Sequence, residues 1–224
     1  MLPVGRDIWA IVADAPLERF SDEQLQLELQ DIEAVSRYAL AHASVIEFFF
    51  QKAPVIPLKL FTLFSRDERA GTQLAGRGST VRNLFARVRG LEEWGVRITA
   101  SSVRKPVVSA RKTEPASGRA YLETKKQMKD DGGAPSPAAR REVGAALAAL
   151  GKLAAKVRKE DFPPPGRGRQ YVAGASFLVK AQRRAAWKKR VSQLAAALGK
   201  QDHRLEVSGP WPPYHFTTLQ KGTR

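Results

Sequence analysis

The residues Leu25, Leu29, Ile32, Val35, Ala39, His42, Ile46 and Phe49 follow one another at spacings of 4, 3, 3, 4, 3, 4 and 3. A helix of 3.6 residues per turn gathers such a stripe on one side, whereas a strand would scatter it over both faces. Glu28, Asp31, Arg37 and Glu47 fall on the opposite side. The chain is thus expected to contain a long amphipathic helix, which must bury its apolar stripe against another element. Its start is marked in the sequence. Ser21 is placed to cap, Gln24 sits three residues on as in a capping box, and Phe20 and Leu25 are spaced for a hydrophobic staple. Ala53-Pro54 breaks the pattern, because proline lacks the N–H and clashes with the preceding turn.

Around this helix the chain alternates between the two periods. Residues 8–13 (IWAIVA) form an apolar run of strand length. Residues 55–61 (VIPLKLF) are β-rich, but Pro57 limits them to an edge strand or bulge. Residues 67–74 and 80–88 read as short helices around a Gly76-Arg77-Gly78 loop, and residues 93–100 (EWGVRITA) as a half-buried strand. Residues 101–117 read as a linker, followed by a helical segment near Arg119 that carries Tyr121. Ser136 then caps a helix with Pro137 at its first position. Its stripe is Val143, Leu147, Leu150, Ala154 and Val157. Residues 161–169 (DFPPPGRGR) are a loop, residues 172–179 a strand, and Trp187, Val191, Leu194 and Leu198 a further helical stripe closed by Gly199. Residues 203–208 are a strand that runs into Gly209-Pro210-Trp211-Pro212-Pro213-Tyr214. From Trp94 onward this order is close to βαββαβ, with the second strand weakly marked around Phe162. The expected fold is α+β in two domains, residues 1–92 and residues 93–224, the second ferredoxin-like.

Charge separates the same two halves. Residues 1–96 hold 11 Lys and Arg and 13 Asp and Glu, net −2; the remaining 38 − 11 = 27 basic and 22 − 13 = 9 acidic residues give the rest of the chain +18. The basic half points to an acidic partner, and a nucleic-acid-binding module is the main alternative function. Against that alternative stand the absence of an RNP-like aromatic strand or a helix-turn-helix pattern, and the position of most basic residues on solvent faces of amphipathic helices. With no cysteine in 224 residues, disulfides, thiol catalysis and cysteine zinc sites are excluded. His42, His203 and His215 lack metal-site spacing, and the paired carboxylates lie at helix starts or loop edges, where acids favour the helix dipole. Gly76-Arg77-Gly78-Ser79-Thr80 lacks the pattern of a phosphate loop. No run is long enough to span a bilayer, and residues 1–7 do not open a secretion signal. The expectation is a cytoplasmic protein, not an enzyme, with no metal, cofactor or small-molecule substrate.

The proline-rich end permits two readings. Its prolines fix φ and withhold donors, so neither a helix nor a regular ladder is expected to continue through it. Trp211 and Tyr214 either close a core, with a buried Trp211 anchoring the segment, or form a docking surface.

The whole chain resembles the GvpL/GvpF family of gas vesicle proteins. The resemblance lies in residues 14–20 (DAPLERF), in Ala41-His42 with Val45-Ile46, and in residues 54–64 (PVIPLKLFTLF). It continues in residues 93–96 (EWGV), 118–122 (GRAYL) and 175–179 (ASFLV), and ends in the terminal GPWPPY. The motif residues it marks as a candidate interaction surface are Trp94, Gly95, Tyr121, Gly209, Pro210, Trp211, Pro212, Pro213 and Tyr214. Three departures stand out. The family opens with a further strand, and this chain starts roughly where that strand would end. Phe61 precedes Thr62 where the family often has Phe-Gly, and the net charge is +16 where family members are often acidic. The resemblance implies an accessory protein of gas vesicle assembly that binds the hydrophobic shell protein and other accessory proteins. It carries over no catalytic residues.

Overall fold

The computed structural model describes residues 1–101, 136–160 and 169–217 and is mixed α+β. Two units divide it: Met1–Glu92 together with Trp211–Arg224, and Glu93–Pro210. The expected segment around Tyr121, the linker before it and Phe162 lie outside the described residues.

The first unit opens with a hairpin. Strand β1 (Leu2–Gly5) pairs antiparallel with β2 (Ile8–Ala10), and the register shifts between Pro3 and Gly5. The two-residue turn places Asp7 at φ 61°, a left-handed conformation that Asp tolerates. The expected strand over 8–13 is therefore shorter, and it has a partner strand ahead of it.

Helices α1 (Leu17–Phe20) and α2 (Asp22–Glu28) come next. The Ser21 hydroxyl accepts from the Gln24 N–H at 3.3 Å, the cap expected from the sequence. The apolar stripe, however, does not form one helix. It breaks at Asp31, whose backbone turns extended and whose carboxylate accepts from the Glu33 N–H at 2.9 Å, starting α3 (Ile32–Phe50) afresh. A short acceptor side chain that caps well competes with the continuing helix, and periodicity does not register that competition.

Residues 55–61 form no strand; Pro54 and Pro57 remove two donors, and Phe61 adopts φ 59°. Helices α4 (Asp67–Ala75) and α5 (Gly78–Val88) follow, with α4 packed on β1. Gly90, at φ 70°, turns the chain out of α5.

The second unit is built on a four-stranded sheet in the order β4-β5-β3-β6. Its strands are β3 (Leu91–Ser101), β4 (Lys156–Lys159), β5 (Arg169–Lys180) and β6 (His203–Trp211). Two helices accompany it, α6 (Pro137–Gly151) and α7 (Arg184–Gly199). The Ser136 hydroxyl accepts from the Ala139 N–H at 3.1 Å, with Pro137 in the first turn. Strand alternation sends Trp94, Val96 and Ile98 of β3 and Ala175, Phe177 and Val179 of β5 into one core. Val143, Ala146 and Leu150 of α6 and Trp187 and Leu198 of α7 complete it.

Two expectations here are corrected. Val157 does not extend the α6 stripe. The helix ends at Gly151, Ala155 N–H donates to the Leu178 carbonyl at 2.7 Å, and Val157 pairs with Phe177 in β4. The final strand also continues further than the prolines suggested, through Gly209 and Pro210 to Trp211.

Candidate functional site

Apolar side chains are spread unevenly between the units. Among the described residues, every exposed large hydrophobic except Val157 and Val207 belongs to the first unit. Two groups within it have a local structural cause. In the hairpin, a two-stranded sheet leaves one edge of each strand without a strand partner among the described residues, and Trp9 is 57% exposed, with Ile11 and Val12 continuing beyond it. On α3, Ala34 and Ile46 are buried, so the helix turns Leu40, Val45 and Phe48 outward, at 70%, 47% and 52% exposure. The Lys52 ammonium lies 3.6 Å from the Phe48 ring centroid, a cation–π contact at the end of this face. The stripe chosen from periodicity is only partly the buried one. Ile32 is 81% exposed and Leu29 is exposed; the two flank the break at Asp31, Leu29 just past the end of α2 and Ile32 at the first position of α3.

Behind this face is an aromatic cluster. The Tyr38 ring packs against Phe20 at 5.7 Å and edge-on against Phe61 at 5.5 Å. Glu28 accepts the Tyr38 hydroxyl and, with burial, holds the phenol above its ordinary pKa. His42 is half-buried on the same helix, and burial lowers its pKa below the usual 6.5.

The motif residues fall in different settings. Trp94 is buried in the second unit's core, and the Lys188 ammonium lies 5.4 Å from its ring. Gly95 is explained by close approach, since a Cβ there would lie 2.7 Å from the Ser208 Oγ. Gly209 has φ 119°, a conformation that disfavours any side chain. In the terminal segment the expected burial is reversed. Trp211 is 41% exposed and Pro210 is exposed, while Pro212 and Pro213 are fully buried. Pro213 is held by its carbonyl, which accepts from the buried Thr217 hydroxyl at 2.8 Å and from the Phe216 N–H at 3.1 Å. The Tyr214 N–H turns back onto the Pro212 carbonyl at 2.7 Å. The reversal has a simple cause: Trp211 ends β6, where it can face outward, and the compact proline rings fill the interior without needing polar partners. Tyr121 lies outside the described residues.

The apolar faces of α3 and the hairpin were not singled out from the sequence. The only signal for them was apolar residues, such as Leu40, Val45 and Phe48, standing off the stripe. No helix among the described residues is long and apolar enough to cross a membrane. The arrangement is suited to holding another apolar surface.

Comparison with known proteins gives a consistent result. The sequence model of the family described as gas vesicle synthesis protein GvpL/GvpF matches residues 4–218. Gas vesicle protein L from Streptomyces sp. (strain CB03234) is 27% identical over 224 residues, covering 95% of this chain and 81% of that protein. The fold is similar to the crystal structure of GvpF from Anabaena sp. PCC7120, with a TM-score of 0.61 at 16% identity over 83% of this chain and 79% of that one. GvpF from Microcystis aeruginosa gives 0.55 at 16% identity, over 82% and 78%.

Proposed function

The chain belongs to the GvpL/GvpF family of gas vesicle synthesis proteins, and from that premise we propose that it is a non-enzymatic accessory protein that binds the hydrophobic shell protein in the cytoplasm during vesicle assembly, alone or with other accessory proteins. The observation that carries this reading is the concentration of exposed apolar side chains in the first unit. A shell subunit that presents an apolar face to gas would aggregate in water unless that face and its strand edges were covered. The hairpin edge beside Trp9, which has no further strand partner among the described residues, suits an added strand, and the outer face of α3 suits a helix or an apolar sheet face.

The finer architecture supports the same division of labour. We read the second unit as a ferredoxin-like domain, in keeping with its element order and its sheet order β4-β5-β3-β6. It buries its large aromatics, Trp94, Phe177 and Trp187, and among the described residues of its strands and helices the one exposed aromatic is Trp211, at the end of β6. Such a surface lacks the stacking platform of a single-strand nucleic-acid binder.

Co-expression with the shell protein and affinity recovery tests the proposal. Wild type should recover shell protein, and Leu40→Glu/Phe48→Glu should recover much less at an unchanged melting temperature. Failure of wild type to recover it, with the other accessory proteins present, would reject the reading.

A further inference from the structure

We infer that this chain associates with copies of itself head to tail, the α1–α3 surface of one molecule receiving the basic face of α7 of the next. The first surface combines apolar exposure with acid. Leu17, Leu27, Leu29 and Ile32 are exposed, Leu17 and Ile32 at 81% each. Interspersed with them are Asp14, Glu18, Asp22, Glu23 and Glu33, all exposed and none with an ion-pair partner among the described residues.

The second surface has the opposite sign. Between residues 162 and 201 the chain has no Asp or Glu. Lys180, Arg183, Lys188 and Lys189 are exposed there and likewise lack an ion-pair partner among the described residues. Of these, Arg183 stands at the N-cap of α7, where the helix dipole disfavours a cation, so its placement does not serve the helix itself.

Two exposed, complementary and unneutralised faces on one chain make a second copy the matching occupant. The aliphatic stems of Lys and Arg can cover Leu17, Leu27 and Ile32 while their charges reach the carboxylates. Because the two faces differ, the contact is head to tail, and the size of the species formed reads whether it closes on itself or extends. This goes beyond binding of the shell protein and uses different residues.

Sedimentation velocity of the full-length protein tests it at about 50 mM and about 1 M salt, since the Debye length shrinks to about 3 Å at the higher value. Concentration-dependent species larger than the monomer should form at low salt and dissociate at high salt. Arg183→Glu/Lys189→Glu should be monomeric at low salt. It should fold, because both side chains are exposed and an acid at position 183, the N-cap of α7, is favoured by the dipole; Arg183→Gln/Lys189→Gln is the milder second variant. Asp14→Lys/Glu18→Lys should also be monomeric, and mixing it with the α7 glutamate variant should restore association. A monomeric wild type at low salt overturns the inference, as does association that survives in the glutamate, glutamine and lysine variants. Low-salt species that vanish on nuclease treatment also overturn it, and would make nucleic acid the occupant of the α7 face.

Discussion

Phe61 shows how one residue can carry two opposing terms. At φ 59° a Cβ is strained, by about 1–2 kcal/mol, yet its ring packs on Tyr38 at 5.5 Å. Phe61→Gly should therefore be more stable than Phe61→Ala by about 1 kcal/mol, the reverse of the usual order, in urea unfolding. Two tryptophans, one fully buried and one partly exposed, should separate as clearly. Trp187 is fully buried and packs on Phe177 at 4.9 Å, so Trp187→Ala should remove about 3–5 kcal/mol. Trp211, 41% exposed, should lose under about 1 kcal/mol as Trp211→Ala, with the melting temperature nearly unchanged. His42 supplies a pH dependence. Its folded pKa lies below 6.5, so below about that pH the unfolded chain takes up the proton more readily. The contribution of His42 to stability is thus present above pH 6.5 and is lost as pH falls toward the folded pKa. His42→Leu should flatten the decline in melting temperature across that window; an unchanged slope would refute the assignment.

At the scale of elements, caps were the most legible features. Ser21 and Ser136 cap α2 and α6 where a hydroxyl stands three residues before a free amide, a purely local relation. Asp31 caps by the same chemistry, its carboxylate reaching the amide two residues on, but it lay within an unbroken apolar period, and the period alone gave no sign of the break. Asp31→Ala should destabilise the protein by about 0.5–2 kcal/mol in thermal unfolding, through loss of the bond to the Glu33 N–H. Strand ends were less legible than helix starts. Val157 fits the α6 period by spacing, yet it belongs to β4 because Ala155 and residues 156–159 find partners on β5, far away in sequence. Residues 55–61 have strand composition but two prolines beside or within them and no ladder, since composition states a preference and a sheet needs a donor and a neighbour.

At the scale of the whole molecule, the apolar surface of the first unit is the property that most affects handling and function. Wild type should bind an apolar fluorescent dye while folded and aggregate on concentration; Leu40→Glu/Phe48→Glu should reduce both without lowering the melting temperature. Dye binding unchanged in that variant would place the accessible surface elsewhere. The mixed α+β character, most helices, the β3, β5 and β6 strands and the family motifs were all present in the sequence by itself. Each rests on local spacing, on capping chemistry or on a run of matched residues. Only the tertiary structure decided that Trp211 faces outward while Pro212 and Pro213 are buried, and that a Cβ at position 95 would require the Ser208 hydroxyl to move. It likewise decided which side of α3 is left exposed. Periodicity shows that a helix has an apolar side but not whether that side is covered. Covering depends on which distant segments arrive, and Leu40, Val45 and Phe48 stay exposed because none does among the described residues.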